Sequence, residues 1–216
     1  MAVNSEEEEA QRGPTDDAAL DWRVVAEHPP ADYRVFTVQR HEALHPLNGS
    51  RRTFSVVRAP DWVNVVALTP EDDLVLVRQF RHGTRARTLE IPGGMVDPRE
   101  SPARAAVREL LEETGYEARA WYPLGVVEPN PAIQSNRLHT SLALDARRAR
   151  ATRFDAGEVI AHAQLPIAEA GARVADGTIR HALVIVGLFH LRELAGAWRR
   201  PSAARLAALP DPLAPT

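Results

Sequence analysis

The chain has 216 residues and a mass of 23.8 kDa, enough for one sizeable domain. No apolar run approaches the roughly 20 residues that cross a bilayer, and the acidic start of the chain has the wrong sign for a secretory leader. Neither membrane insertion nor secretion is expected, and a cytoplasmic address is. Six acids (Glu6 to Glu9, Asp16 and Asp17) against Arg12 give residues 1–20 a charge of −5; the whole chain carries −3, so the remainder carries +2. That is too little positive charge to hold nucleic acid through its phosphates. All 26 basic residues are arginine and there is no cysteine. Disulfide frameworks, thiolate nucleophiles and zinc ribbons are excluded, and any cation that meets a phosphate can grip it at two points.

Residues 1–20 are polar and aperiodic and read as an acidic arm. Short β-rich runs follow at Trp22–Ala26, Tyr33–Gln39, Thr53–Arg58 and Trp62–Thr69, then a turn at Pro70–Asp73 and a strand at Leu74–Phe80. Leu89–Ile91 leads into Pro92-Gly93-Gly94, a breaker that neither a helix nor a central strand is expected to hold. A helix fits Ser101 to Thr114, with Ser101 as N-cap, Pro102 in the first turn and Gly115 just past the end. Trp121–Val127 and Leu138–Leu144 read as strands around the irregular loop Glu128–Asn136, and Val159–Ala163 as another. Ile167–Ala175 and Arg180–Trp198 read as helices, the second offering Ala182, Val186, Leu188, Phe189 and Leu191 to a core. Four prolines between 201 and 216 predict an irregular tail. The pattern predicts an α/β (α+β) sandwich with a central mixed sheet flanked by helices. It forms one domain over 21–200, with a β-rich segment at 21–60.

The informative stretch is Gly94 to Tyr116, GMVDPRESPARAAVRELLEETGY. At about 100° per residue, Glu109, Glu112 and Glu113 share one helix face, while Ala103, Val107, Leu110 and Leu111 are available to the core. Like charges at this spacing repel unless something neutralises them. Mg²⁺, which takes carboxylate oxygens and substrate phosphates as ligands, does so; Arg104 and Arg108 on a solvated acidic face also would. The glycine pair upstream lets backbone approach a ligand closely.

Gly94, Glu100, Arg108, Glu109, Leu110, Glu112, Glu113 and Gly115 match eight of the nine specified positions of the Nudix signature, with Tyr116 replacing an aliphatic residue. The chain therefore resembles the Nudix hydrolases. The resemblance implies Mg²⁺-dependent hydrolysis (Mn²⁺ substituting) of a nucleoside diphosphate joined to another group. It makes Glu109 and Glu113 metal ligands, Glu112 a ligand or catalytic participant, Arg108 the residue that orients the carboxylates, and the Gly93 carbonyl a further ligand.

The flanks LEIPGG (Leu89–Gly94) and VRQFR (Val77–Arg81), with Pro131 sixteen positions after Gly115, look like the ADP-ribose and nucleoside diphosphate sugar pyrophosphatase branch. By that resemblance Arg81 contacts the diphosphate and Glu90 lies beside substrate or metal. Asn136 and Arg137 are placed to read a sugar or base, with loop stabilisation the alternative for both. The resemblance also implies that the base taking the proton from water is Asp155 or Glu158, with binding of an additional Mg²⁺ the alternative for either, or else Glu112, and the sequence does not separate them. Trp22 and Tyr33 are candidates to stack on a nucleobase across a homodimer interface built by residues 21–60, with 61–200 as the catalytic core. The alternatives are a Nudix pyrophosphatase of nucleoside triphosphates or dinucleoside polyphosphates, and a non-catalytic nucleotide-sugar sensor. The eight histidines form no metal-spaced pair and no GxSxG elbow occurs.

Overall fold

The computed structural model describes residues 17–152 and 159–210. Two compact units emerge: Ala132–Ser135 join the residues up to Ala59 in one, and Pro60–Pro131 with the residues from Asn136 onward form the other. In the first unit, β1 (Arg23–Glu27), β2 (Ala31–Asp32), β3 (Thr37–Leu44) and β4 (Arg51–Arg58) make an antiparallel sheet in which β3 pairs with each of the others. Val57 N–H bonds to the Ile133 carbonyl, which ties the 132–135 segment to β4.

The second unit contains β5 (Trp62–Leu68), β6 (Asp73–Arg81), β7 (Ala86–Glu90), β8 (Gly93–Met95), β9 (Tyr116–Glu117), β10 (Ala120–Val127), β11 (Leu138–Leu144), β12 (Arg147–Arg148) and β13 (Ile160–Pro166). Seven of these form a mixed sheet ordered β10-β11-β5-β6-β13, with β11 parallel to β5 and the other pairs antiparallel. The helices are α1 (Pro102–Thr114), α2 (Ala170–Ala175), α3 (Ala182–Ala195) and α4 (Ala203–Leu206).

Strand alternation sorts β5 into two cores. Val63, Val65 and Ala67 pack with Ala105, Ala106 and Leu110 of α1, whereas Val66 and Leu68 pack with Val184, Leu188 and Leu191 of α3. The sheet is thus covered by a helix on each face, a sandwich of the expected kind.

One departure from regular pairing positions everything that follows. β5 and β6 are in register only at Leu68 and Leu74. Beyond that pair they part, and β8 takes up the free edge of β5 while β7 takes up that of β6. The glycine pair was expected to break structure; instead Gly93 and Gly94 pair with Asn64 and Val63 as a short strand. A Cβ at Gly93 would stand 2.9 Å from Asn64 Cα and closer still to the Val63 carbonyl oxygen, so only glycine lets β8 lie this near β5.

The helices also correct the expected faces. α1 buries Ala105, Ala106, Leu110 and, with them, Glu113, while Ala103, Val107 and Leu111 are half-buried. α3 is shorter than the predicted 180–198 and buries Val184, Gly187, Leu188, Leu191 and Ala195, leaving Phe189 and Ala182 exposed. Apolar content misled there, because a helix that is apolar nearly all round does not announce which stripe meets the sheet. The segment after Pro201, expected to be irregular, holds α4.

Candidate active site

Where β5 and β6 part, the second unit opens a cavity of about 790 Å³. Its lining comes from the start of β5 (Trp62, Asn64), the end of β6 (Gln79, Arg81), β7 (Thr88, Glu90), β8, the carboxylate face of α1 and the first turn of α3. That volume suits a ligand of nucleotide-sugar size.

α1 is held in place at both ends. Ser101 Oγ accepts the Arg104 N–H at 3.3 Å, and Gly115 closes the helix in the left-handed region at φ 74° while its N–H bonds to the Leu111 carbonyl. Fixed this way, the helix presents Arg108, Glu109, Glu112 and Glu113 to the cavity. The Arg108 guanidinium takes the carboxylates in turn: Nη2 donates to Glu100 Oε2 at 3.0 Å, Nη1 to Glu109 Oε1 at 2.8 Å and to Glu112 Oε2 at 3.2 Å. Its Nη2 also donates to the Met95 carbonyl at 2.9 Å, which ties helix to β8. Burial disfavours the Arg108 cation, but its bonds to Glu100, Glu109 and Glu112 and the Glu109 charge outweigh this and raise its pKa. Burial likewise pushes Glu100 up, yet Arg108 and the Asp97 N–H hold its carboxyl below the usual carboxylate range.

Glu113 is only 4% exposed, and its Oε2 accepts the Gly93 N–H at 2.9 Å. A Cβ at Gly94 would come 2.6 Å from the Glu109 carboxyl carbon, so the bare backbone of β8 cradles two glutamates of α1. The donor set that α1 brings to the cavity is entirely oxygen, the carboxylates of Glu109, Glu112 and Glu113. That chemistry fits a hard divalent cation. Among the described residues no group of three acids or histidines already stands in ligating geometry; Arg108 supplies the positive charge instead.

At the end of β6, Arg81 forms a two-point pair with Glu90, Nε to Oε1 at 2.8 Å and Nη2 to Oε2 at 2.6 Å. Thr88 Oγ donates to Glu90 Oε1 at 2.5 Å, and His181 Nδ1 lies 3.7 Å from Oε2. Burial pushes the Glu90 carboxyl up, but the Arg81 and Thr88 bonds with the Arg81 charge hold it below its ordinary value. His181 is pushed down, chiefly by burial.

Of the residues expected from sequence, Arg81, Glu90, Gly93, Arg108, Glu109, Glu112 and Glu113 line the one cavity. Pro131, Asn136 and Arg137 lie outside its lining: Arg137 is exposed with its N–H on Asp61 Oδ1, and Asn136 is buried. Trp22 and Tyr33 belong to the first unit, where Trp22 packs edge-on against Phe54 and His45 and Tyr33 stacks on Phe36. Asp155 and Glu158 fall outside the described residues. Asn64, Thr88, Arg180 and His181 line the cavity without having been singled out. Asn64 did leave a signal, as the polar residue inside the apolar run of β5; its Nδ2 donates to the Leu183 carbonyl at 2.9 Å.

Residues 59–183 match the NUDIX domain. The chain is similar to the ADP compounds hydrolase NudE of Escherichia coli, 30% identical over 162 residues that cover 74% of this chain and 86% of the relative. It is also similar to the ADP-ribose pyrophosphatase of Mycobacterium tuberculosis, 28% identical over 176 residues that cover 77% and 81%. A solved crystal structure of an ADP compounds hydrolase superposes with a TM-score of 0.72 at 28% identity, covering 81% of this chain and 94% of its own.

Proposed function

The chain belongs to the Nudix family of hydrolases, and on that premise we propose that it hydrolyses the diphosphate bond of ADP-ribose or a related nucleoside diphosphate sugar, with Mg²⁺, to a nucleoside monophosphate and a sugar phosphate. The observation that carries this reading is the cavity itself. It sets a carboxylate helix braced by Arg108 against a strand of bare glycine backbone, and it also holds the arginine of the Arg81–Glu90 pair. Relatives acting on ADP-ribose and ADP compounds support the substrate class.

Glu109, Glu112, Glu113 and the Gly93 carbonyl would hold Mg²⁺, or Mn²⁺ in its place, which supplies charge neutralisation and polarisation at the diphosphate. Arg108 keeps the carboxylates apart and oriented. Arg81 donates to diphosphate oxygens. A carboxylate takes the proton from the attacking water; Glu112 is assigned this part within the cavity, with Asp155 and Glu158 as the other acids to compare. The protein acts in the cytoplasm as a homodimer in which residues 21–60 meet a second copy, with Trp22 and Tyr33 offered to the base.

Coupled phosphate release from ADP-ribose, ADP-glucose, GDP-mannose, UDP-glucose, diadenosine polyphosphates and deoxynucleoside triphosphates, with Mg²⁺ and with chelator, tests the assignment. Preference for a diphosphate sugar, abolished by chelator, is the expected result. Turnover of triphosphates or dinucleotides alone would move the substrate class, and tight ADP-ribose binding with no turnover of any compound would make the protein a sensor.

A further inference from the structure

The Arg81–Glu90 pair is built more elaborately than either partner requires. Glu90 is 2% exposed, whereas the Arg81 side chain is 42% exposed toward the cavity it lines. Thr88 and Glu90 alternate to the same side of β7, so the Thr88 hydroxyl reaches the Glu90 carboxylate from its own strand. On β6, Gln79 pairs with Thr88 and Val77 with Glu90, so Arg81 reaches back along β7 to find the carboxylate. His181, at the start of α3, closes the far side of Glu90 at 3.7 Å, beyond hydrogen-bond reach, and its Nδ1 is buried with no hydrogen-bond partner.

We propose that Glu90 is a positioning residue: gripped by Thr88 and backed by His181, it fixes the plane of the Arg81 guanidinium so that Arg81 meets the substrate diphosphate in a single orientation. This inference rests on the reading that a diphosphate occupies the cavity. A side-on pair through Nε and Nη2 sets the guanidinium plane in a way that one contact cannot. An arginine that is already ordered loses less rotamer freedom when substrate binds, which is how preorganisation raises affinity. Stability alone is a poor account of the pair, since a buried ion pair contributes little net stability against its desolvation. Glutamine at position 90 would keep the shape but turn an amide N–H toward an arginine N–H, so the plane would no longer be fixed.

The test measures ADP-ribose affinity by calorimetry in chelator, where no turnover occurs, and kcat and KM with Mg²⁺. Wild type, R81A, E90Q, T88V and the R81A/E90Q pair are compared, each with its melting temperature. R81A and E90Q are each expected to weaken affinity about tenfold or more and to lower kcat/KM at least as far. The double variant is expected to be no weaker than R81A by more than about twofold, because one residue acts through the other. T88V is expected to fold and to weaken affinity less than E90Q, and it carries the test if E90Q does not fold. If R81A weakens binding while E90Q and T88V leave it unchanged, or if the losses simply add, the positioning role is overturned and the diphosphate reading stands. If R81A leaves binding unchanged, Arg81 does not meet the diphosphate and the positioning role falls with that contact, whereas absence of ADP-ribose binding in wild type would overturn the diphosphate reading itself.

Discussion

Arg108 holds oxygens of Glu100, Glu109 and Glu112 at once, and Arg81 with Thr88 does the like for Glu90. Residues tied so closely must report in the pH dependence of folding. Glu90 and Glu100 have carboxyls held below their ordinary 4.5 in the folded chain, so each adds stability that is present above 4.5 and lost as pH falls through the folded value. His162 and His181 are lowered from 6.5, His162 by burial and then by Arg148. In both, the unfolded chain binds the proton first, so stability again falls with pH, beginning near 6.5. The expected melting temperature therefore declines gently below about pH 6.5 and steeply below about pH 4.5. Thermal unfolding from pH 8 to pH 3 checks this; a melting temperature that rises on acidification would contradict the assigned pairs.

At the level of elements, the short strand β8 decides the geometry, and the sequence hid it. Pro92-Gly93-Gly94 reads as a breaker because glycine is a poor strand former when no partner is known. Here the partner is β5, and the missing Cβ is what permits the approach to Val63 and Asn64. Gly93→Ala is expected to cost about 1–3 kcal/mol, as overpacking against backbone does, and to lower activity by moving β8 from Glu113. Gly83→Ala, where a Cβ meets nothing within 4 Å although the residue lines the cavity, serves as the control for stability and is expected to leave it unchanged. Chemical unfolding and steady-state turnover on the two variants make the comparison; equal stability of both would mean that β8 tolerates the added carbon. α1 was legible for the opposite reason. Its Ser101 cap, its Gly115 end and its carboxylate spacing are all local, and local rules suffice for them.

Across the whole molecule, what the sequence concealed is long-range. The strands β5, β6, β10 and β11 were readable from their apolar runs, and the sandwich from their alternation with helices. The parting of β5 from β6 leaves no periodic trace, yet it opens the cavity and brings Asn64 to Leu183, 119 positions away. His181, Thr88 and Arg180 could not have been picked out, since each lies in the site only because that gap exists. Glu109, Glu112 and Glu113 were found because one helix carries all three.

The central claim is that this helix performs diphosphate hydrolysis, and AMP formation from ADP-ribose with Mg²⁺, compared between wild type and Glu112→Gln, tests it most directly. Glu112 is half-buried at the cavity wall, so the variant is expected to fold with an unchanged melting temperature. Loss of a group that orients metal or water predicts a kcat lower by about a hundredfold or more. A folded variant that keeps kcat within about threefold of wild type would contradict the claim.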